Sequence, residues 1–406
     1  MIRSREHALH MLAEAAELEH NLLCSYLYAA FSLKRGVDEQ LEPHELEAVV
    51  RWRAAILHVC MEEMFHLAQV ANLTVALGSR PHLNRPNLPV EPGYHPAGVQ
   101  VALAPFDRDV LDHFIYLERP EGSALEDAAS YRPMVAAERD PESGVLMPSA
   151  PDYRTIGEFY HLLSAGLGHL CAGAREADLF IGGAEYQLRS QDIGAAELSV
   201  VVDLETAQRA LHLIVVQGEG APGESEASHF ETFSQIREEV ARLTAARAAF
   251  RPARDVARNP VMRRPVAAER VHVTDATAAP ILDAANAVYS LMLRCLSAVY
   301  DTSTREATRR SALLGCATGL MTALAELSDV LTRLPAASDG GVRAGVTFAM
   351  LRSTEGLVPG VDVGFVLAQR FERIRSEIPR LALPRPLAAS LGERLGSYGA
   401  SLLASH

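Results

Sequence analysis

The sequence is poor in cysteine, short of basic residues and without a long uninterrupted apolar run, and each shortage excludes something. Its five cysteines, Cys24, Cys60, Cys171, Cys295 and Cys316, lie mostly in apolar helical stretches. Their total is odd and no Cys-x-x-Cys spacing occurs, so they read as buried thiols in a reducing compartment. Lys and Arg number 38 against 51 Asp and Glu, a net charge of −13. A pI of about 5.6 argues against nucleic acid as a partner, which would need a clustered basic surface. No apolar run reaches transmembrane length, and the start of the chain, charged from Arg3 to Glu6, lacks the apolar core of a signal peptide. The expectation is a soluble, cytoplasmic chain with neither nucleic acid nor membrane as partner. At 406 residues and 49% hydrophobic content it is long enough for two domains and a large core.

What is present is a helix carrying unusual chemistry. Residues 56–73 contain no Pro or Gly, and within them Glu63 and His66 stand three apart, on one helical face within an otherwise apolar packing surface. In four-helix bundles that hold two metal ions, two helices each supply a Glu-x-x-His pair and the other two each supply a lone Glu. One such pair is common on solvated helices, so the rest of the set decides. In the first helix, Glu19 lies two turns before Tyr26 on the stripe formed by Leu12, Ala15, Ala16, Leu22 and Leu23. A carboxylate on a buried face is costly unless paired or bound to metal, which makes Glu19 a candidate ligand and leaves Glu14 and Glu17 as solvated. Glu158 opens a later helix behind Thr155, a suitable N-cap. It reads either as the second half of a capping box or, with an apolar helix following at once, as a ligand. His161 makes a second i, i+3 pair with Glu158. For the last half-site two versions stand: Glu219, strained between Gly218 and Gly220, with His229, or Glu226 with His229 in one turn. Spacing alone favours the second.

Carboxylates and imidazoles in this ratio suit iron or manganese better than zinc. Tyr26, Tyr28 and Tyr160 near the set read as core packing.

Helical periodicity covers residues 4–34, 45–77, 155–180, 203–217 and 228–249. A Pro- and Gly-rich connection, roughly 79–152, separates the second from the third, with one short helical piece from Asp107 to Glu118. A bundle with one long crossover needs such a connection there. Residues 251–270, basic and Pro-containing, read as a linker. Beyond it, helices are expected over Ala278–Tyr300, Arg309–Leu334 and Val363–Ile378, in a domain that packs on the bundle, shapes its pocket or makes a homodimer.

With these segments in view, the sequence resembles the ferritin-like proteins of the iminophenyl-pyruvate dimer synthase group, named after enzymes of violacein- and rebeccamycin-type pathways. The resemblance rests on Ala16-Glu17-Leu18-Glu19-His20 before Tyr26-Leu27, on Glu62-Glu63-Met64-Phe65-His66-Leu67 through Asn72-Leu73, and on Phe114 through Gly122. It continues in Ile156-Gly157-Glu158-Phe159-Tyr160, Gln217-Gly218-Glu219-Gly220 and Ser228-His229-Phe230, and extends to Asn286 through Leu293. It implies a ferritin-like four-helix core with a metal centre, and with the connection and the later helices the expectation is an all-α fold: a ferritin-like four-helix bundle with a long crossover over 1–250, followed by a second helical domain over 271–406. By position it implies Glu19, Glu63, His66, Glu158, Glu219 and His229 as metal ligands, with Glu219 rather than Glu226 partnering His229. One departure is Cys24-Ser25, where relatives often carry a proline pair ahead of the tyrosine.

The expected function is a non-haem oxidoreductase of specialised metabolism. It would use two iron ions, or manganese, with dioxygen or peroxide as oxidant, on an amino-acid-derived small molecule such as an imine. Glu62 or His161 would orient the ligands or relay protons. The competing readings are iron storage and a scaffold in which the carboxylates merely pair with Arg or His; the histidines also leave haem open.

Overall fold

The computed structural model describes residues 2–90, 94–95, 99–131, 147–148, 150–173, 175–194, 198–220, 227–265, 270–338, 340–351 and 361–405. Glu226 lies outside them. The chain divides into two compact units, the first made of Met1–His82, Pro89–Arg189 and Ala196–Ala253, the second of Leu83–Leu88, Ser190–Ala195 and Arg254–His406.

The first unit is a helical bundle. Helix α1 (Arg5–Ser32) is capped by Ser4, whose hydroxyl accepts from His7 N at 3.1 Å, a contact worth about 1 kcal/mol. Helix α2 (Pro43–Ala76) starts with proline in its first turn and a capping box between Glu42 and Glu45. The two lie along each other. Helix α3 (Arg108–Leu117) is the short piece expected inside the connection, capped by Asp107. Helix α4 (Ile156–Gly173) stops short of the expected residue 180 and is followed by the single turn α5 (Glu176–Leu179). A second single turn, α6 (Ser190–Ile193), belongs to the other unit. Helix α7 (Leu204–Glu219) pairs with α4, and helix α8 (His229–Ala246) pairs with α3.

Rings fasten these pairs together. Tyr26 of α1, Phe114 of α3 and Phe233 of α8 are fully buried, their centroids 4.5 to 5.2 Å apart. Each such side chain contributes about 1.5–3 kcal/mol by burial. At the other end Trp52 stacks on Phe106 and donates from Nε1 to Glu239 Oε2 at 2.6 Å, tying α2 to α8.

In the second unit, α9 (Ala278–Asp301) packs on α10 (Ala307–Leu331), and α11 (Val363–Glu377) packs on α12 (Arg385–Ala404). Strands β1 (Pro260–Val261) and β2 (Val271–His272) pair in parallel. Helix α12 was not expected, because its serines and glycines dilute helix propensity; Leu391, Leu395 and Leu402 are nevertheless buried at helical spacing. The stretch read as a linker is partly built into this unit: Val256 and Ala257 are buried, and Arg254 donates to Thr332 Oγ1 at 2.9 Å. Helix α10 is long and apolar enough to cross a membrane by length and composition, unlike any run counted from the sequence, but half of its most apolar window is buried within the fold. Leu313, Leu320 and Leu327 make it a core helix.

Candidate metal centre

Five buried side chains from four segments of the first unit converge. Glu19 comes from the middle of α1, Glu63 and His66 from α2, Glu118 from the residue that ends α3, and His229 from the first position of α8. Local sequence accounts for each placement. Glu63 and His66 share a face one turn apart. Ser228 caps α8 by accepting from Glu231 N, which sets His229 at the helix start with its ring turned inward.

Glu63 sits in the middle. Its Oε1 lies 3.0 Å from His229 Nδ1 and its Oε2 lies 3.5 Å from His66 Nδ1. A second carboxylate flanks each imidazole: Glu19 Oε2 is 3.4 Å from His66 Nδ1, and Glu118 Oε2 is 3.6 Å from His229 Nδ1. The two rings are 5.5 Å apart. The groups Glu19–Glu63–His66 and Glu63–Glu118–His229 each offer three ligand atoms within 4.8 Å of one another.

A tyrosine holds each outer carboxylate. Tyr160 of α4 donates to Glu19 Oε1, and Tyr26 donates to Glu118 Oε1. Behind the imidazoles, His66 Nε2 faces Gln217 Oε1 at 2.9 Å and His229 Nε2 faces Glu62 Oε2 at 3.2 Å. Both oxygens only accept, so each ring carries a proton on Nε2 and turns Nδ1 to the carboxylates.

Buried carboxyl and imidazole groups this close shift one another. Burial, reinforced by the Glu63 charge, pushes the Glu19 carboxyl up to about 8. Burial also opposes the charge on Glu63, but the His229 and His66 imidazoles close to it outweigh burial and hold this carboxyl well below its ordinary range. Burial works against a charged His66, yet Glu19 and Glu63 raise it to about 10; His229 is likewise raised by Glu118, Glu62 and Glu63 against its burial.

The donor set suits two hard or borderline cations. Among the described residues, Glu63 Oε2 and His229 Nδ1 are buried without a hydrogen bond of good geometry, and both aim into the cluster. A buried polar atom left unmade is costly, and a cation between the carboxylates would satisfy both. Beside the cluster lies a small cavity of ≈ 20 Å³, room for a water or two, walled by Leu22, Leu117, Ile156, Ile214 and Val215.

Of the six expected ligands the structure brings Glu19, Glu63, His66 and His229 together. Glu158 is not in the cluster. In the first turn of α4 its carboxylate turns back to accept from Arg154 N at 2.7 Å, while Thr155 Oγ1 accepts from Glu158 N at 3.1 Å. Helix α4 reaches the site through Tyr160 instead. Glu219, the last residue of α7, lines the cavity, but its carboxylate accepts from Gly157 N at 3.0 Å and Glu121 N at 3.1 Å. A β-carbon at position 157 would collide with Glu219 Oε1, so glycine makes this contact possible. Of the two versions of the last half-site, only that with Glu219 falls on described residues. His161 pairs with the exposed Glu121 at 3.1 Å, away from the metal groups.

Glu118 was missed. The signal was there: Leu111, Phe114, Ile115 and Glu118 follow i, i+3, i+4, i+7 spacing, the criterion that singled out Glu19. At position 218 a β-carbon would stand 3.1 Å from Glu118 Oε2, so the glycine of α7 also gives this carboxylate room.

Comparison with known proteins adds independent findings. The family description "Ferritin-like" matches residues 12–238. The chain is 26% identical over 421 aligned positions to dichlorochromopyrrolate synthase of Lentzea aerocolonigenes, covering 94% of this chain and 40% of that protein. It is 28% identical over 366 positions to 2-imino-3-(indol-3-yl)propanoate dimerase of Chromobacterium violaceum, covering 84% of this chain and 33% of that one. The chain thus spans well under half the length of either relative. A solved ferritin-like protein from Caulobacter vibrioides superposes with a TM-score of 0.45 at 20% identity, over 79% of this chain and 97% of that one.

Proposed function

The chain belongs to the Ferritin-like family, whose match spans more than half of it, and from that premise we propose a dinuclear non-haem metal oxidoreductase of specialised metabolism. Its substrate is an amino-acid-derived small molecule, with a 2-imino carboxylate as the favoured class, because one relative is named for such a compound. The observation that carries the reading is Glu63, whose two oxygens face two different buried imidazoles, each flanked by a further carboxylate.

Glu19, Glu63 and His66 would hold one ion, and Glu63, Glu118 and His229 the other. A bound iron pair supplies one-electron redox chemistry toward dioxygen or peroxide. The chain's own groups do the rest. Tyr160 and Tyr26 fix the outer carboxylates in rotation, each engaging one oxygen and leaving the other for the site. Gln217 and Glu62 hold the imidazoles in the tautomer that presents Nδ1. The aliphatic wall keeps water scarce. Glu219, whose carboxyl burial raises, is placed at the cavity to hold or move a proton on its carboxylate oxygens.

The test is metal analysis of the full chain purified without oxygen, followed by oxygen uptake with a freshly generated 2-imino carboxylate. About two ions per chain, absent in Glu63→Ala, with substrate-dependent uptake, would support the proposal. Metal that is oxidised and retained without regard to organic substrate would move the protein to iron storage. Absence of metal would favour the scaffold reading, for which the direct pairing of His66 and His229 with carboxylates already offers a self-contained network.

A further inference from the structure

The dinuclear reading, on which this inference rests, describes two half-sites related by an approximate mirror through Glu63. Each half has one oxygen of Glu63, one outer carboxylate, one tyrosine donating to that carboxylate, and one imidazole entering by Nδ1. The match breaks in two places. Behind His66 stands a neutral amide, Gln217, at 2.9 Å; behind His229 stands a carboxylate, Glu62, at 3.2 Å. Glu62 in turn lies 3.8 Å from His58, whose side chain is mostly exposed. The cavity is the second break. Glu63 and both outer carboxylates reach it, but of the two imidazoles only His66 lines it.

We infer that the two metal positions are unequal: the Glu63–Glu118–His229 position binds a divalent cation tightly and exchanges it slowly, and the Glu19–Glu63–His66 position binds weakly and exchanges through the cavity. A carboxylate accepting the imidazole N–H makes the ring a stronger donor and adds a negative charge close to the ion, whereas an amide orients the ring without that charge. The exchangeable position is then the one that a molecule small enough for the cavity reaches first.

The experiment is anaerobic calorimetric titration of the metal-free full chain with ferrous ion, with chelator competition as a second measurement. The expected wild-type result is two binding steps at least about tenfold apart, with one equivalent removed readily by chelator. Glu62→Gln gives both imidazoles an amide partner and weakens the tight step by roughly tenfold while leaving the weak one in place. Gln217→Glu, an independent arm that adds a charge, tightens the weak step. Two indistinguishable steps in the wild type, or equal weakening of both by Glu62→Gln, would overturn the inference while leaving the dinuclear reading intact. Uptake of fewer than two ions would sink the dinuclear reading itself and this inference with it.

Discussion

At the residue scale the centre is a store of protons waiting to be displaced. Without metal, Glu19 keeps its proton up to about pH 8 because burial and the Glu63 charge disfavour the carboxylate, and His66 keeps its second proton to about pH 10 because Glu19 and Glu63 face it. Metal binding needs the carboxylate and the free Nδ1 lone pairs, so loading releases these protons together with the one that Glu118, Glu62 and Glu63 hold on His229. Apparent affinity therefore rises with pH, most steeply below 8 where Glu19 and both imidazoles hold protons, and more gently above it where only the imidazoles do. Calorimetry in buffers of different ionisation enthalpy reads the released protons directly; uptake that ignores pH would contradict this picture. A second residue-scale prediction concerns Gly182, whose N–H donates to Ala76 O at 2.9 Å and where a β-carbon would collide with Val75 O. Backbone cannot yield as a side-chain tip does, so Gly182→Ala should destabilise the first unit by about 1–3 kcal/mol, seen as a lower urea midpoint.

At the element scale the question is what each helix end does with its glutamate. Helix α3 delivers Glu118 to the metal groups, whereas α4 uses Glu158 to satisfy backbone at its own start. Glu118→Ala should therefore remove close to one metal equivalent, with Glu158→Ala unchanged in metal content and slightly less stable. Elemental analysis of the two variants side by side decides it, and the reverse pattern would return Glu158 to the ligand set. Further from the centre, Arg247 just past α8 grips Glu45 in the first turn of α2 through two contacts of 2.7 and 2.6 Å. Those hydrogen bonds hold the Glu45 carboxyl below its ordinary range. A depressed carboxyl stabilises the fold above the unfolded value of 4.5 and loses that contribution as pH falls through the folded one. Melting temperatures of wild type and Glu45→Gln should differ at neutral pH and converge on acidification below pH 4.5.

For the whole molecule, the chain does not divide by a single cut. Residues 83–88 and 190–195, far from Arg254 in sequence, belong to the second unit. Arg85 donates to Tyr289 Oη at 2.9 Å and to Phe348 O at 2.7 Å, Asn87 Oδ1 accepts from Met350 N at 2.7 Å, and Asp192 pairs with Arg310 at 3.7 Å. A chain ending at residue 253 would leave Arg85, Asn87 and Asp192 without these partners and their short segments exposed. Limited proteolysis should then cleave such a truncation first near residues 83–88 and 190–195, sites that the full chain protects.

Most helices other than α12, the long connection and four of the five converging side chains were legible in the sequence. Periodicity and i, i+3 spacing are local, and Glu19, Glu63 and His66 lie inside long helices where a face is either buried or not. His229 was legible from its three-residue spacing to Glu226 and from the resemblance, and the structure adds the Ser228–Glu231 cap that sets it at the helix start. The choice among Glu118, Glu158 and Glu219 needed the packed helices, because each stands at a helix end. A carboxylate there can reach the unpaired N–H groups of a helix start, its own or a neighbour's, or turn to the interior, and the neighbouring helix settles which: Gly157 at the start of α4 leaves a cradle for Glu219, and Tyr26 reaches across from α1 to claim Glu118. The inequality of Gln217 and Glu62 is of the same kind. Nothing local to either residue tells which imidazole it will stand behind.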